Sequence, residues 1–271
     1  MALFSTTLSV LRQHLSAQVG DLIMGTAASG TSTTLVDTLL RKGDDYYNEH
    51  HYRCYIYVGT NIGEEREISD WSLTSPANTL ILAPAYTAAI DNTSKYELHR
   101  IFTADEYLKA INMAIEFLAG KYLIDLIDDT TITLVADTYE YALPTSFLYL
   151  HKVTTEKEAA GNKFDASDEI DPRDWSIIRA YPPTLKLHED RYSITAGRDL
   201  RLEGQGTQAK VSADTDVIYL PPDWVVAKAI TMLPKAKIMS NQLNSTYQQA
   251  LLLSAKEPRA FPDPKARRIV E

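Results

Sequence analysis

Leu8, Leu11, Leu15 and Val19 recur three and four residues apart, with Arg12, Gln13 and Gln18 between them. This spacing predicts an amphipathic helix over residues 6–19 that stops near Gly20. From Leu22 to about Arg100 the period falls to two. In Tyr52–Val58, Tyr52, Cys54, Ile56 and Val58 point one way and Arg53, Tyr55 and Tyr57 the other, while Gly59–Gly63 and Ser75–Asn78 supply turns. Helical spacing returns at Thr103. Thr103-Ala104-Asp105-Glu106 matches a capping box, and Leu108, Ile111, Ile115, Leu118 and Tyr122 carry one apolar stripe to about Leu126, a rod of roughly 35 Å.

Residues 131–220 read as extended again, with strands at Thr138–Tyr141, Tyr149–Thr154, Arg198–Glu203 and Val217–Leu220. Glu156–Asp174, with seven acids and three bases, reads as an exposed loop. Pro221-Pro222-Asp223 opens a further helix with Asp223 as N-cap and Val226, Ile230 and Leu233 on one face. Pro234 breaks it, and a last helix runs from about Lys235 to Ala255. Lys256–Glu271, with three prolines and five bases against three acids, reads as an extended tail.

The pieces predict an α+β fold organised as a discontinuous helical-bundle core with two β-rich insertions. The core takes residues 1–21, 101–130 and 221–255, the inserted all-β module takes 22–100, the second β-rich insertion takes 131–220, and the tail takes 256–271. A chain of 271 residues with 45% hydrophobic and 23% charged content can build its own core without metal or disulfide support. Cys54, the single cysteine, cannot form an internal bridge. No apolar run approaches the roughly 18 residues that cross a bilayer, and the first residues lack the basic start of a signal peptide. The formal charge of −9 argues against a general DNA-binding surface and leaves room for contact with DNA by repulsion.

No group of residues assembles into chemistry. Gly25–Ser32 has the spacing of a phosphate-binding loop, but Thr31 stands where the lysine belongs, so a turn between strands is expected. Gly204-Gln205-Gly206 lacks the third glycine of a dinucleotide fingerprint. Asp125, Asp128 and Asp129 fall at the end of the Thr103 helix, as a solvated helix end or as oxygen ligands for a hard cation. His14, His50, His51, His99, His151 and His188 show no paired metal spacing, and His50 and His51 read as an exposed turn. Cys54 reads as a buried structural thiol. The expectation is a protein that is not an enzyme and that holds no metal or cofactor. Tyrosine supplies 16 residues, and Tyr46, Tyr47, Tyr55 and Tyr57 in the first β module read either as interface aromatics or as ordinary sheet packing.

The order of elements resembles the head-to-tail adaptor, or neck, proteins of tailed bacteriophages, the group that includes the tail tubular adaptors of short-tailed phages. The resemblance is carried by Phe102–Leu108 running to Ile115–Leu118, by Tyr139–Pro144 and Ser146–Leu148, and by Leu200–Gly204 and Leu220–Trp224. Thr34–Thr38, Asp44–Asn48 and Gly59–Gly63 are similar to modules of phage virion proteins, with Glu49 where a glycine is usual.

The resemblance implies a structural virion protein made in the cytoplasm of a host bacterium and placed at the neck. There it forms a ring, twelve subunits in the typical case, beneath the portal protein and above a tail or nozzle protein. Fibres or collar proteins would contact its β module, genomic DNA would pass through its lumen, and no membrane is involved. A ring of that size carries roughly −100 formal charges, which would repel phosphates. The candidates for the lumen are Asp125, Asp128, Asp129, Asp137 and Glu140, because no Lys or Arg occurs from Tyr122 to His151; an acidic surface away from the channel is the other reading. By the same analogy the tail would dock on the portal and be flexible in the free protein. Arg259, Lys265, Arg267 and Arg268 would pair with carboxylates, and Phe261 or Ile269 would act as apolar anchors. The alternative class is a peripheral receptor- or glycan-binding fibre or collar protein. A cell-wall hydrolase would need a paired acid and nucleophile.

Overall fold

The chain divides into two units and passes between them at 117–118, 209–210 and 257–258. The computed structural model describes residues 4–74, 77–180 and 182–269. The first unit opens with β1 (Thr6–Thr7) and α1 (Leu8–Gln18), followed by β2 (Ile23–Thr26), β3 (Ser29–Gly30), β4 (Thr34–Val36) and α2 (Tyr46–Glu49). It continues through β5 (Arg53–Val58), β6 (Glu65–Ser72), β7 (Thr79–Ala83), β8 (Lys95–His99) and α3 (Ala104–Phe117). The second unit takes β9 (Ile124–Thr133), β10 (Glu140–Ala142), β11 (Phe147–Thr155), β12 (Trp175–Ile178), β13 (Thr184–Leu187) and β14 (Asp199–Gly206). The chain then returns to the first unit for β15 (Val217–Ile218), α4 (Pro222–Met232), α5 (Lys235–Ser240) and α6 (Asn244–Ser254), and ends in the second with β16 (Arg267–Arg268).

Sixteen strands in four sheets, against six short helices among the described residues, make β-sheet the dominant architecture. The expected helical-bundle core is therefore corrected. The Thr103 capping box forms, with the Thr103 amide donating to Glu106 Oε2 at 2.9 Å and the Glu106 amide to Thr103 Oγ1 at 3.1 Å. The helix nevertheless ends at Phe117 rather than near Leu126, because Gly120 takes a left-handed turn at φ +74° and the following residues enter β9. Asp223 lies inside the first turn of α4, with Pro221 at the N-cap. The expected last helix is broken into α5 and α6 at Asn241–Leu243, where Gln242 has φ +59°.

A seven-stranded antiparallel sheet, in the order β2-β8-β5-β6-β7-β4-β3, dominates the first unit. One face buries Leu35, Cys54, Ile56, Trp71, Leu80, Tyr96 and Leu98, with Tyr47 of α2 packed into the same cluster. Alternation along β5 and β8 turns the intervening residues to the sheet's second face. Tyr55, Glu97 and His99 on that face are buried as well. In the same unit α3 packs on α4, α4 on α6, and α1 on α3 and α4.

The second unit has a four-stranded sheet, β16-β11-β14-β9, and a three-stranded one, β10-β13-β12. They share an apolar core that includes Phe147, Leu150, Val153, Trp175, Leu185, Leu202 and Ile269. Gly204 and Gly206 lie within β14, where an added Cβ would run into the backbone oxygens of Tyr149 and Ser146. Close approach of two strands accounts for that glycine pair.

Candidate functional site

Arg12 stands at the centre of the most concentrated polar chemistry in the first unit. On α1 it follows Leu8 by four residues and precedes Leu15 by three, so it shares their inward face; it is 2% exposed. The expected role of Arg12 as a spacer between apolar positions is corrected. Its Nε donates to Glu97 Oε2 at 2.8 Å and its Nη2 to Glu97 Oε1 at 3.1 Å. Nη1 donates to Asp214 Oδ1 at 2.5 Å and Nη2 to Asp214 Oδ2 at 3.2 Å. One guanidinium thus bridges two carboxylates through both of their oxygens, the geometry for which its planar fork is suited.

Local structure delivers each partner. Glu97 and His99 lie two apart on β8 and so share the sheet face opposite Tyr96 and Leu98. Asp214 comes from a turn in which the Asp216 carboxylate accepts from the amides of Ser212 and Ala213. The pairing of β15 with β1 then holds this turn against the start of α1. Tyr55 donates its hydroxyl to Asp214 Oδ2 at 3.0 Å, and the Arg12 guanidinium lies 4.1 Å from the Tyr55 ring centroid.

His99 Nε2 lies 3.0 Å from Glu97 Oε2 and Nδ1 lies 2.8 Å from the Asp21 carbonyl oxygen. Both neighbours only accept, so the ring satisfies both when each nitrogen carries a proton. The Asp21 carboxylate accepts from the amides of Arg100, Ile101 and Phe102 at 2.6, 2.8 and 2.9 Å, and from the Tyr107 hydroxyl at 2.8 Å. Burial alone would push the Glu97 carboxyl up, but hydrogen bonds from His99 and Arg12 outweigh it and hold the group down at about 2. Burial pushes the Tyr55 and Tyr107 hydroxyls above the ordinary tyrosine range.

The cluster is closed and saturated. A cavity of about 240 Å³ beside it is bordered by Arg12, Tyr55, Glu65, Asp105 and Asp214. Glu65 Oε1 accepts the Ala104 amide at the start of α3. The Cys54 thiol lies in the sheet core, pushed up to about 12 by burial. The arrangement joins α1, the central sheet, the start of α3 and the 212–216 turn to one another.

The predicted lumen acids go to the second unit and to strands or turns, not to a helix end. Asp125, Asp128 and Asp129 lie on β9. Asp125 accepts from Gln205 at 3.0 Å, and Asp128 caps a local bulge by accepting from Thr130 and Thr131. Asp129 pairs with Arg201 at 3.1 Å and Glu140 with Lys186 at 3.2 Å. The sequence run without bases therefore acquires them from strands β14 and β13, far away along the chain. Asp137 is exposed on a turn at φ +58°. With Glu140, Lys186, His188, Glu189 and Asp190 it borders an open depression of about 710 Å³.

The predicted interface tyrosines separate. Tyr47 is buried edge-on against Trp71 at 5.1 Å, and Tyr55 is buried on Arg12. Neither is available to a partner. Tyr46 and Tyr57 are half-buried, with Tyr46 stacked on His50 at 4.4 Å.

The expected flexible tail is corrected as well. Ile269 is 1% exposed in the second unit's core, and β16 pairs with β11. Arg267 lies 4.2 Å from the Trp175 ring centroid and donates to the backbone oxygens of Trp175 and Pro172. Arg259, Lys265, Arg268 and Phe261 point outward, Phe261 being 78% exposed.

The Gly25–Ser32 segment lies in β2 and β3 rather than at a helix start, with a Cβ at Gly25 blocked by the Tyr96 hydroxyl. Among the described residues no group of three or more His, Cys, Asp or Glu is placed to hold a metal ion, and no helix is long and apolar enough to cross a membrane. No protein-family model matches the sequence, and no curated protein matches it.

Proposed function

We propose that the chain is a structural head-to-tail adaptor of a phage virion, a ring component beneath the portal that joins capsid to tail and surrounds the DNA channel. The observation that carries the reading is the interleaved path. The chain leaves the first unit after α3, builds a β-rich second unit and returns for α4–α6, the order of elements on which the resemblance to neck proteins rests. The Arg12 network locks the first unit internally, which suits a part that is pulled on rather than one that turns over substrate.

Within this reading the portal contact falls to Arg259, Phe261, Lys265 and Arg268, since Arg267 and Ile269 are engaged in the second unit's own packing. Within the adaptor reading, repulsion of DNA falls to Asp128 and Asp137, since Asp129 and Glu140 carry their own countercharges. The test is to mix the full chain with portal-bearing heads of the same virion and follow it by sedimentation and electron microscopy. A ring at the portal vertex is the expected result. A chain that stays unbound, or whose Arg259→Glu/Phe261→Ala/Lys265→Glu variant binds as well as wild type, overturns the adaptor or its docking surface respectively.

A further inference from the structure

The cavity of about 240 Å³ in the first unit has one wall whose chemistry is unfinished. Arg12, Tyr55 and Asp214, which border it, are each more than nine-tenths buried and take up one another's hydrogen-bonding groups. Arg12 answers Asp214 and Glu97, and at the rim Lys109 answers Asp105. Glu65, at the start of β6, borders the same cavity and is half-buried. Its Oε1 accepts the Ala104 amide at 3.1 Å, and among the described residues no cation pairs with it. Arg53, Arg12 and His99 act on it only from a distance, and burial keeps its carboxyl above the ordinary glutamate value. Leu8, Ala104 and Leu108 supply the apolar part of the lining.

We infer that this cavity is a binding site for a primary ammonium group on an unbranched aliphatic stem, with the ammonium on Glu65 Oε2 and the methylenes along Leu8, Ala104 and Leu108. An anion would meet the carboxylates of Glu65, Asp105 and Asp214 against one guanidinium that is already spent. A neutral ligand would leave the Glu65 charge without a partner and bury it further. A bare divalent ion needs several oxygen ligands at once, and among the described residues no group of three is placed to hold one. A guanidinium pairs best with a carboxylate that offers both oxygens, and Glu65 has committed Oε1 to the Ala104 amide. An ammonium carries three donors and no acceptor, which matches one open carboxylate oxygen, and an aliphatic stem matches the apolar lining. A lysine side chain of another chain and a free alkylamine present this same chemistry. The cavity belongs to the first unit alone, so the site is independent of any ring.

Titration of the full chain with pentylamine at neutral pH, followed by NMR at the Ala104 amide, is the test. The controls are 1-pentanol, which has the stem without the charge, and tetramethylammonium, which has the charge without an N–H. Pentylamine should shift the Ala104 signal saturably, and neither control should. Glu65→Gln keeps an oxygen for the Ala104 amide, so its circular dichroism melt should stay near wild type while pentylamine binds at least about tenfold more weakly. Should that variant melt early, the comparison with 1-pentanol and tetramethylammonium on wild type decides alone. A lysine blocked at both backbone ends is the second arm: binding tighter than pentylamine marks a protein side chain as the source of the amine, and weaker binding marks a free alkylamine. A flat pentylamine titration, an equal response to either control, or a folded Glu65→Gln variant that binds as wild type does overturns the inference. Portal attachment is measured separately and stands or falls without this site.

Discussion

Both units have an apolar core, and they differ in what is buried beside it. The first holds a buried ionic layer, with Arg12 between Glu97 and Asp214, His99 beside Glu97, and Asp21 gathered onto three amides and a tyrosine. The second relies on an apolar core around Trp175, Phe147, Leu202 and Ile269. Its buried acid, Glu156, is held by the amides of Asn162 and Asp199 rather than by a cation. An apolar core loses contact area when a residue is shortened. An ionic layer loses its balance, because whatever remains is a buried charge without a partner.

The largest effect that would sharpen this contrast is Arg12→Leu. It strands Glu97 and Asp214 together and should cost the first unit about 3–5 kcal/mol. Cys54, fully buried in that unit, is the reporter: its thiol should react far faster with a labelling reagent in the variant than in wild type. Unchanged protection would mean the network is not the lock.

Next comes acid. Glu97 has its folded value depressed from 4.5 to about 2, so its stabilisation is fully present above about pH 4.5 and is lost as pH falls toward 2. The loss should amount to roughly 3 kcal/mol, read as Cys54 exposure against pH, and Glu97→Gln should flatten that dependence.

In the second unit Ile269→Ala should cost about 2 kcal/mol or more by leaving a cavity. Hydrogen exchange at the Val153 and Leu202 amides should report it, while Cys54 labelling stays near wild type. Equal exposure of Cys54 would show that the units unfold as one. Removal of residues 256–271 should destabilise the second unit further still, so it is not a clean test of docking. The smallest effect is Phe261→Ala, which should leave the melting transition within about 0.5 kcal/mol of wild type. A larger loss would place Phe261 inside the packing rather than on the surface.

Local elements were legible where a short-range rule fixes them. The Thr103–Glu106 capping box formed, and the period of two marked β5 correctly. Legibility failed where a rule is silent about what lies across the element. Alternation along Lys95–His99 reads the same whether the polar face meets water or a buried guanidinium, so the pairing of Glu97 with Arg12 and His99 had no signal. Arg12 had a signal, its place four residues after Leu8, but a charged residue on an apolar stripe makes sense only once two carboxylates are known to face it. The helix overran to Leu126 because the apolar stripe continued past Gly120, where backbone conformation, not hydrophobic spacing, decided the end.

What the sequence determined by itself was local: the period of each segment, the capping box, the breaks at Pro221 and Pro234, the lone thiol, and a net charge unsuited to holding DNA by attraction. The tertiary structure decided which charges meet. Asp129 and Glu140 find Arg201 and Lys186, and Arg12 finds Asp214 from the far end of the chain, because strand pairing and chain crossings bring together residues that no linear window contains. It also decided that Ile269 is core and the α6 leucines are surface, since burial is a property of what lies opposite a side chain and not of the side chain alone.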